Sequence, residues 1–64
     1  MNLNLKMARI KKGYSQKELA ELLDVTSKYI SKLETSETYP SASLMKKLAD
    51  TLNSSVQELF FNKV

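Results

Sequence analysis

Ser27, Lys28, Ser31 and Lys32 share the outer face of the segment SKYISKLE, in which Ile30 and Leu33 turn the other way. Small hydroxyls and long ammonium side chains on one face can donate to base edges and neutralise phosphates. Nothing in the pattern points to bond-breaking chemistry. The chain has no His and no Cys, so it lacks the commonest general base and the usual metal ligands. At 64 residues it is also too short to enclose a pocket of several hundred cubic ångströms. Catalysis, a metal site and a bound cofactor are therefore not expected.

For those four side chains to reach a groove, their helix must be held at a fixed angle by a second one. Residues 15–34, SQKELAELLDVTSKYISKLE, supply the pair. Ser15 and Glu18 make an S-x-x-E capping box, predicting a helix from Gln16 with Leu19, Ala20 and Leu23 as its apolar stripe. Asp24 stands where the chain must turn, and Asp tolerates the left-handed conformation. Val25 can plug the corner and Thr26 caps the next helix. The spacing predicts five helices in all, at about 2–12, 16–23, 27–35, 42–52 and 56–61. The first buries Leu5 and Ala8 and stops at Gly13, a left-handed cap. TSETYPS reads as a loop, with Pro40 excluding helix at Tyr39 and Ser41 capping the fourth helix. That helix shows Ala42, Met45, Leu48, Ala49 and Leu52 at helical spacing and ends at Asn53. Ser55 and Glu58 form a second capping box for a last helix carrying Val56, Leu59 and Phe60.

The fold class is thus all-α, a single domain over residues 1–64, held by helix packing without disulfides and helped by dimerisation. The net charge is +3, and its distribution says more than its size: residues 1–32 carry +4 and residues 33–64 carry −1. The cationic half is the half with the helix pair, as expected if that end meets a polyanion. No apolar run approaches the roughly 20 residues of a membrane span, and the start MNLNLKMARIKKG has no signal-peptide core. A soluble, cytoplasmic protein is expected.

One wider pattern runs through the chain: Arg9, Gly13, Tyr14, Ser15, Gln16, Leu19, Ala20, Val25, Thr26, Ile30, Ser31 and Glu34, then Pro40 and Ser41. Leu48, Ala49, Leu52, Ser55, Glu58, Leu59 and Phe60 complete it. It resembles the helix-turn-helix domain of the phage Cro and repressor (XRE) family over essentially the whole chain. The resemblance implies a compact five-helix domain that binds a near-palindromic operator in double-stranded DNA as a homodimer, acting as a repressor. Gln16 matches the family glutamine that donates to a phosphate at the start of helix two. Ser27, Lys28 and Lys32 match positions facing base edges in the major groove, where lysine suits guanine O6 and N7. Tyr29 and Ser31 match flanking positions near phosphate or a thymine methyl, although the Tyr29 ring can equally pack on helix two. Arg9 and Glu34 match a salt bridge tying the first helix to the third.

Three residues depart from the family pattern. Asp24 stands where Gly is usual in the turn and still fits a left-handed residue; Ser36 stands where Gly or Asn is usual, so the loop from Thr35 to Tyr39 can take a different path and bring Thr38 or Tyr39 near the DNA backbone. Ser54 replaces an apolar residue, loosening a core contact. Self-association is expected at the C-terminal end. Phe60 is a core position, and Phe61, turned about 100° from it, is exposed with Val56 and Val64 as a two-fold patch, unless Phe61 joins the core as a satellite. The alternative to a DNA-binding regulator is a protein-partner module, such as an antitoxin or a regulated subunit, with helices four and five as its interface.

Overall fold

The computed structural model describes residues 2–61, so Val64 lies outside the described residues. Four α-helices run Leu3–Lys11 (α1), Gln16–Leu23 (α2), Ser27–Glu34 (α3) and Ala42–Thr51 (α4), followed by a π-helical segment, Gln57–Phe61. Each begins on side-chain chemistry readable in the sequence. Asn2, Ser15, Thr26, Ser41 and Ser55 accept from the backbone N–H groups of Leu5, Glu18, Tyr29, Leu44 and Glu58, at 3.0–3.2 Å. At Ser15 the box is reciprocal, with the Ser15 N–H donating to Glu18 at 2.9 Å. The second box is half formed: the Glu58 carboxylate takes the Ser54 hydroxyl at 3.0 Å.

All four α-helices end the same way. A left-handed residue follows each: Gly13 (φ 81°), Asp24 (φ 58°), Ser36 (φ 63°) and Asn53 (φ 53°). The paired bonds of a Schellman closure accompany every one of them, for example Val25 N–H to Ala20 O at 3.0 Å with Asp24 N–H to Glu21 O at 3.3 Å. Glu37 N–H to Lys32 O and Ser36 N–H to Leu33 O do the same for α3. Glycine adopts this conformation without a Cβ penalty, whereas the other three residues carry one. α2 has its expected bounds, whereas α1 is a residue shorter at each end, with Asn2 as its cap and Lys12 in the turn, and α3 and α4 each end one residue early, with Thr35 and Leu52 in the turns.

The core is one cluster of Leu5, Leu19, Ala20, Leu23, Ile30, Leu33, Leu48, Ala49, Leu52 and Leu59, taking at least one side chain from every helical element. α4 departs from its expected stripe at one end. Ala42, in the first turn and at the edge of the stripe, is exposed, and Leu44 packs against the cluster instead. Ser54 lines a surface cleft with Asn4, Ala8, Glu58 and Leu59. Asn2 draws three elements together. Its N–H donates to Glu34 O and its side-chain amide to Leu59 O, both at 2.8 Å, while its Oδ1 caps α1. No helix among the described residues is long and apolar enough to cross a membrane.

Candidate nucleic-acid interface

The α2–α3 pair is fixed by three residues. Asp24 (φ 58°, ψ 44°) reverses the chain, Val25 packs half-buried against the core, and Thr26 in extended conformation caps α3. Leu19, Ala20 and Leu23 of α2 meet Ile30 and Leu33 of α3 inside the cluster. A corner this short leaves the relative angle of the two helices little freedom.

Fixing Ile30 and Leu33 inward decides what α3 shows. Ser27, Lys28 and Lys32 are exposed, Lys28 and Lys32 one turn apart on the same face, and Ser31 is half-buried beside them. The only carboxylate of α3, Glu34, is turned inward and is 4% exposed. Arg9 of α1 meets it there with Nε donating to Oε2 at 2.6 Å and Nη2 to Oε1 at 3.4 Å. Arg9 Nη1 also donates to Tyr14 O at 2.8 Å, tying in the turn before α2. The expected ion pair is therefore present and buried, and it removes the one negative charge of α3 from the outer face.

Gln16 and Tyr29 are more constrained than the sequence implied. The Gln16 carboxamide, half-buried at the start of α2, donates through Nε2 to Glu34 Oε1 at 3.0 Å. Tyr29 packs half-buried against the core, which leaves it only partly open to a ligand. Thr38 is half-buried while Tyr39 beside it is 68% exposed, so of the two the tyrosine stands out of the loop. The loop is shaped by Ser36 and by the Thr35 hydroxyl, which donates to Glu37 Oε2 at 2.6 Å. At the α2 N-terminus, hydrogen bonds from the Ser15 backbone N–H and then the Ser15 hydroxyl hold the Glu18 carboxyl below the usual carboxylate range.

The residues expected at a two-fold contact separate. Phe61 is 64% exposed, whereas Val56 is partly buried against the core. A different apolar surface went unread: Leu3, Met7 and Ile10 of α1 are 52%, 64% and 56% exposed. Their i, i+4, i+7 spacing marks a second stripe, opposite the Leu5 and Arg9 side, and was available in the sequence. Also missed were the Gln16–Glu34 bond and the Asn2 clip, which have no signal at short sequence separation. No group of His, Cys, Asp or Glu able to hold a metal ion occurs among the described residues.

The crossed pair, its three-residue corner, the cationic outer face of α3 and the buried Arg9–Glu34 brace together make a helix-turn-helix unit in a four-α-helix frame. Comparison with known families agrees: a helix-turn-helix family model matches residues 5–59 of the 64. No curated protein matches the chain. The chain therefore belongs to the helix-turn-helix family of Cro/C1 (XRE) type and is a DNA-binding regulator of that kind.

Proposed function

We propose that the protein is a repressor that binds a near-palindromic operator as a homodimer, with α3 in the major groove. The observation that carries this reading is the composition of the α3 outer face. Ser27, Lys28 and Lys32 are exposed, while Glu34 is inward and ion-paired with Arg9. In this reading Lys28 and Lys32 donate to guanine O6 and N7, and Ser27 donates or accepts at a neighbouring base edge. Ser31 and Tyr29 flank the bases, and Gln16 and Thr38 contact phosphates. The protein measures 27 × 22 × 20 Å, so two copies side by side can set their α3 helices about one DNA turn, roughly 34 Å, apart. Phe61, exposed at the end of the described residues, is the anchor of the two-fold contact, with Val64 following it in sequence, while Val56, partly buried against the core, is at most a neighbour from beneath.

The test is selection of bound sequences from a random duplex pool, with the affinities of the winners measured at two salt concentrations. An enriched inverted repeat with half-sites one turn apart is expected. Weak, salt-labile binding with no enrichment would refute the reading. One observation favours a second role as a partner module: the exposed Leu3, Met7 and Ile10 stripe gives α1 an apolar face, in addition to the α4 and C-terminal surface expected from sequence. A protein that co-purifies stoichiometrically and is lost on Met7→Lys would move the weight to that reading.

A further inference from the structure

Glu34 does more than brace the first and third helices. Its carboxylate accepts from two side chains at once, Arg9 and Gln16, and so joins α1, α2 and α3 at one buried group. For Gln16 the consequence is chemical. A primary carboxamide presents two N–H donors on one end and an acceptor oxygen on the other, and a half-turn exchanges them. Against a carboxylate only the N–H end is tolerated, so the Glu34 contact settles which way the Gln16 amide faces. One N–H is used at 3.0 Å and the second is left to point elsewhere. Without an acceptor at position 34, the half-exposed amide turns freely and offers its oxygen to a phosphate as readily as its nitrogen. An oxygen against a phosphate repels.

We propose that Glu34 is a positioning residue for DNA: by holding one Gln16 N–H, it fixes the other to donate to a backbone phosphate. Arg9 makes the arrangement electrically tolerable. Its guanidinium neutralises the Glu34 charge at 2.6 Å, so a carboxylate stands one hydrogen bond behind a phosphate contact without adding a net negative charge. The bond to Glu34 also polarises the amide, which strengthens its remaining donor. The recognition helix and the phosphate clamp are thereby set by the same group, and a shift of α3 would move the Gln16 donor with it. The proposal rests on the DNA-binding reading above.

The experiment separates the two. A selected duplex is synthesised with a neutral methylphosphonate at each backbone position in turn, and binding is measured for the wild type and for Gln16→Ala. A phosphate whose neutralisation costs the wild type about tenfold or more, a charged hydrogen bond's worth, and costs Gln16→Ala almost nothing is the Gln16 partner. The buried pair is then replaced by an apolar one, Arg9→Met with Glu34→Leu, which keeps the packing and removes the acceptor. This variant should lose most of its sensitivity at that one phosphate and keep it at the others, and Arg9→Met with Glu34→Gln, which restores an acceptor oxygen, should regain it. A folded apolar-pair variant that stays as sensitive as the wild type would overturn the proposal, as would the absence of any phosphate tied to Gln16. If the wild type selects no duplex, the DNA reading itself falls, and the positioning role falls with it.

Where the apolar pair does not fold, the wild type alone decides, through solvent exchange of the two Gln16 side-chain amide protons measured by NMR. One proton is expected to be protected both free and bound, and the other only in the complex. Loss of the first protection when DNA binds would mean that Gln16 leaves Glu34 to reach the phosphate, which is the opposite mechanism.

Discussion

Replacing Arg9 with alanine strips three hydrogen bonds from a site with almost no access to water. The Glu34 carboxylate, 4% exposed, loses both guanidinium donors and keeps only Gln16 Nε2, and the Tyr14 carbonyl loses its donor from Arg9. Exposed ion pairs are worth less than ~1 kcal/mol, but truncating one partner of a buried pair costs about 3–5 kcal/mol because the remaining charge is stranded. At roughly 0.05–0.15 kcal/mol per residue, a 64-residue chain has about 3–10 kcal/mol in total. Arg9→Ala is therefore expected to consume a large part of the stability and to leave little folded baseline in a urea titration followed by circular dichroism at 222 nm. Arg9→Met combined with Glu34→Leu leaves no stranded charge and should sit within about 1–2 kcal/mol of the wild type. Arg9→Met and Glu34→Leu made singly, each breaking the buried pair, complete the cycle with the double variant and should give a coupling of ~2 kcal/mol or more. An Arg9→Ala protein within about 0.5 kcal/mol of the wild type, the range of an inconsequential surface change, would refute the buried brace.

Three further outcomes are tied to particular residues. Ser36 carries a Cβ at φ 63°; a left-handed L-residue costs roughly 1–2 kcal/mol and glycine returns about 0.4–1 kcal/mol of that as chain entropy. Ser36→Gly should then stabilise by about 0.5–1 kcal/mol and raise the melting temperature by several degrees, and a lower melting temperature would contradict the strain. Because Ser15 holds the Glu18 carboxyl below its ordinary value, the Glu18 half of the α2 capping box contributes fully above that ordinary value and is lost as pH falls through the lowered one. Carboxyl NMR should place the Glu18 midpoint under that of an unstructured glutamate; a midpoint at or above it would mean the capping box is open in solution. Finally, Phe61→Asp, at a 64% exposed position, should weaken dimerisation and DNA affinity together, and a fully dimeric mutant in analytical ultracentrifugation would move the two-fold contact elsewhere, with the α1 stripe as the next surface to test.

Features that the chain settles within four or five residues of itself could be read in advance. Every N-cap lies three residues from the N–H it accepts, and Asp24 and Asn53 advertise left-handed turns by type, so those elements were legible. Ser36 (φ 63°) does not announce its left-handed turn, because serine carries little turn signal of its own. Long-range hydrogen bonds were illegible for the same reason: Asn2 meets Leu59 across 57 positions and Gln16 meets Glu34 across 18, and only the packed helices bring them together. The exception, Arg9 with Glu34, was expected from the family pattern and not from spacing. α1 was half read because it is apolar on two faces. Leu5 and Ala8 mark the core, and the competing stripe of Leu3, Met7 and Ile10 leaves periodicity alone unable to choose between them. The register of the last segment had no signal either, since a π turn and an α turn bury Leu59 and expose Phe61 alike.

If α3 reads guanine edges with Lys28 and Lys32, methylation at guanine N7 should interfere with binding where those lysines reach. Duplexes carrying the selected operator are methylated sparsely, partitioned by binding, and compared for the wild type, Lys28→Ala and Lys32→Ala. At least one guanine per half-site is expected whose methylation blocks the wild type, with one of the lysine variants becoming indifferent at that guanine. No guanine interference at all, or guanine interference that neither substitution changes, would contradict base reading by α3.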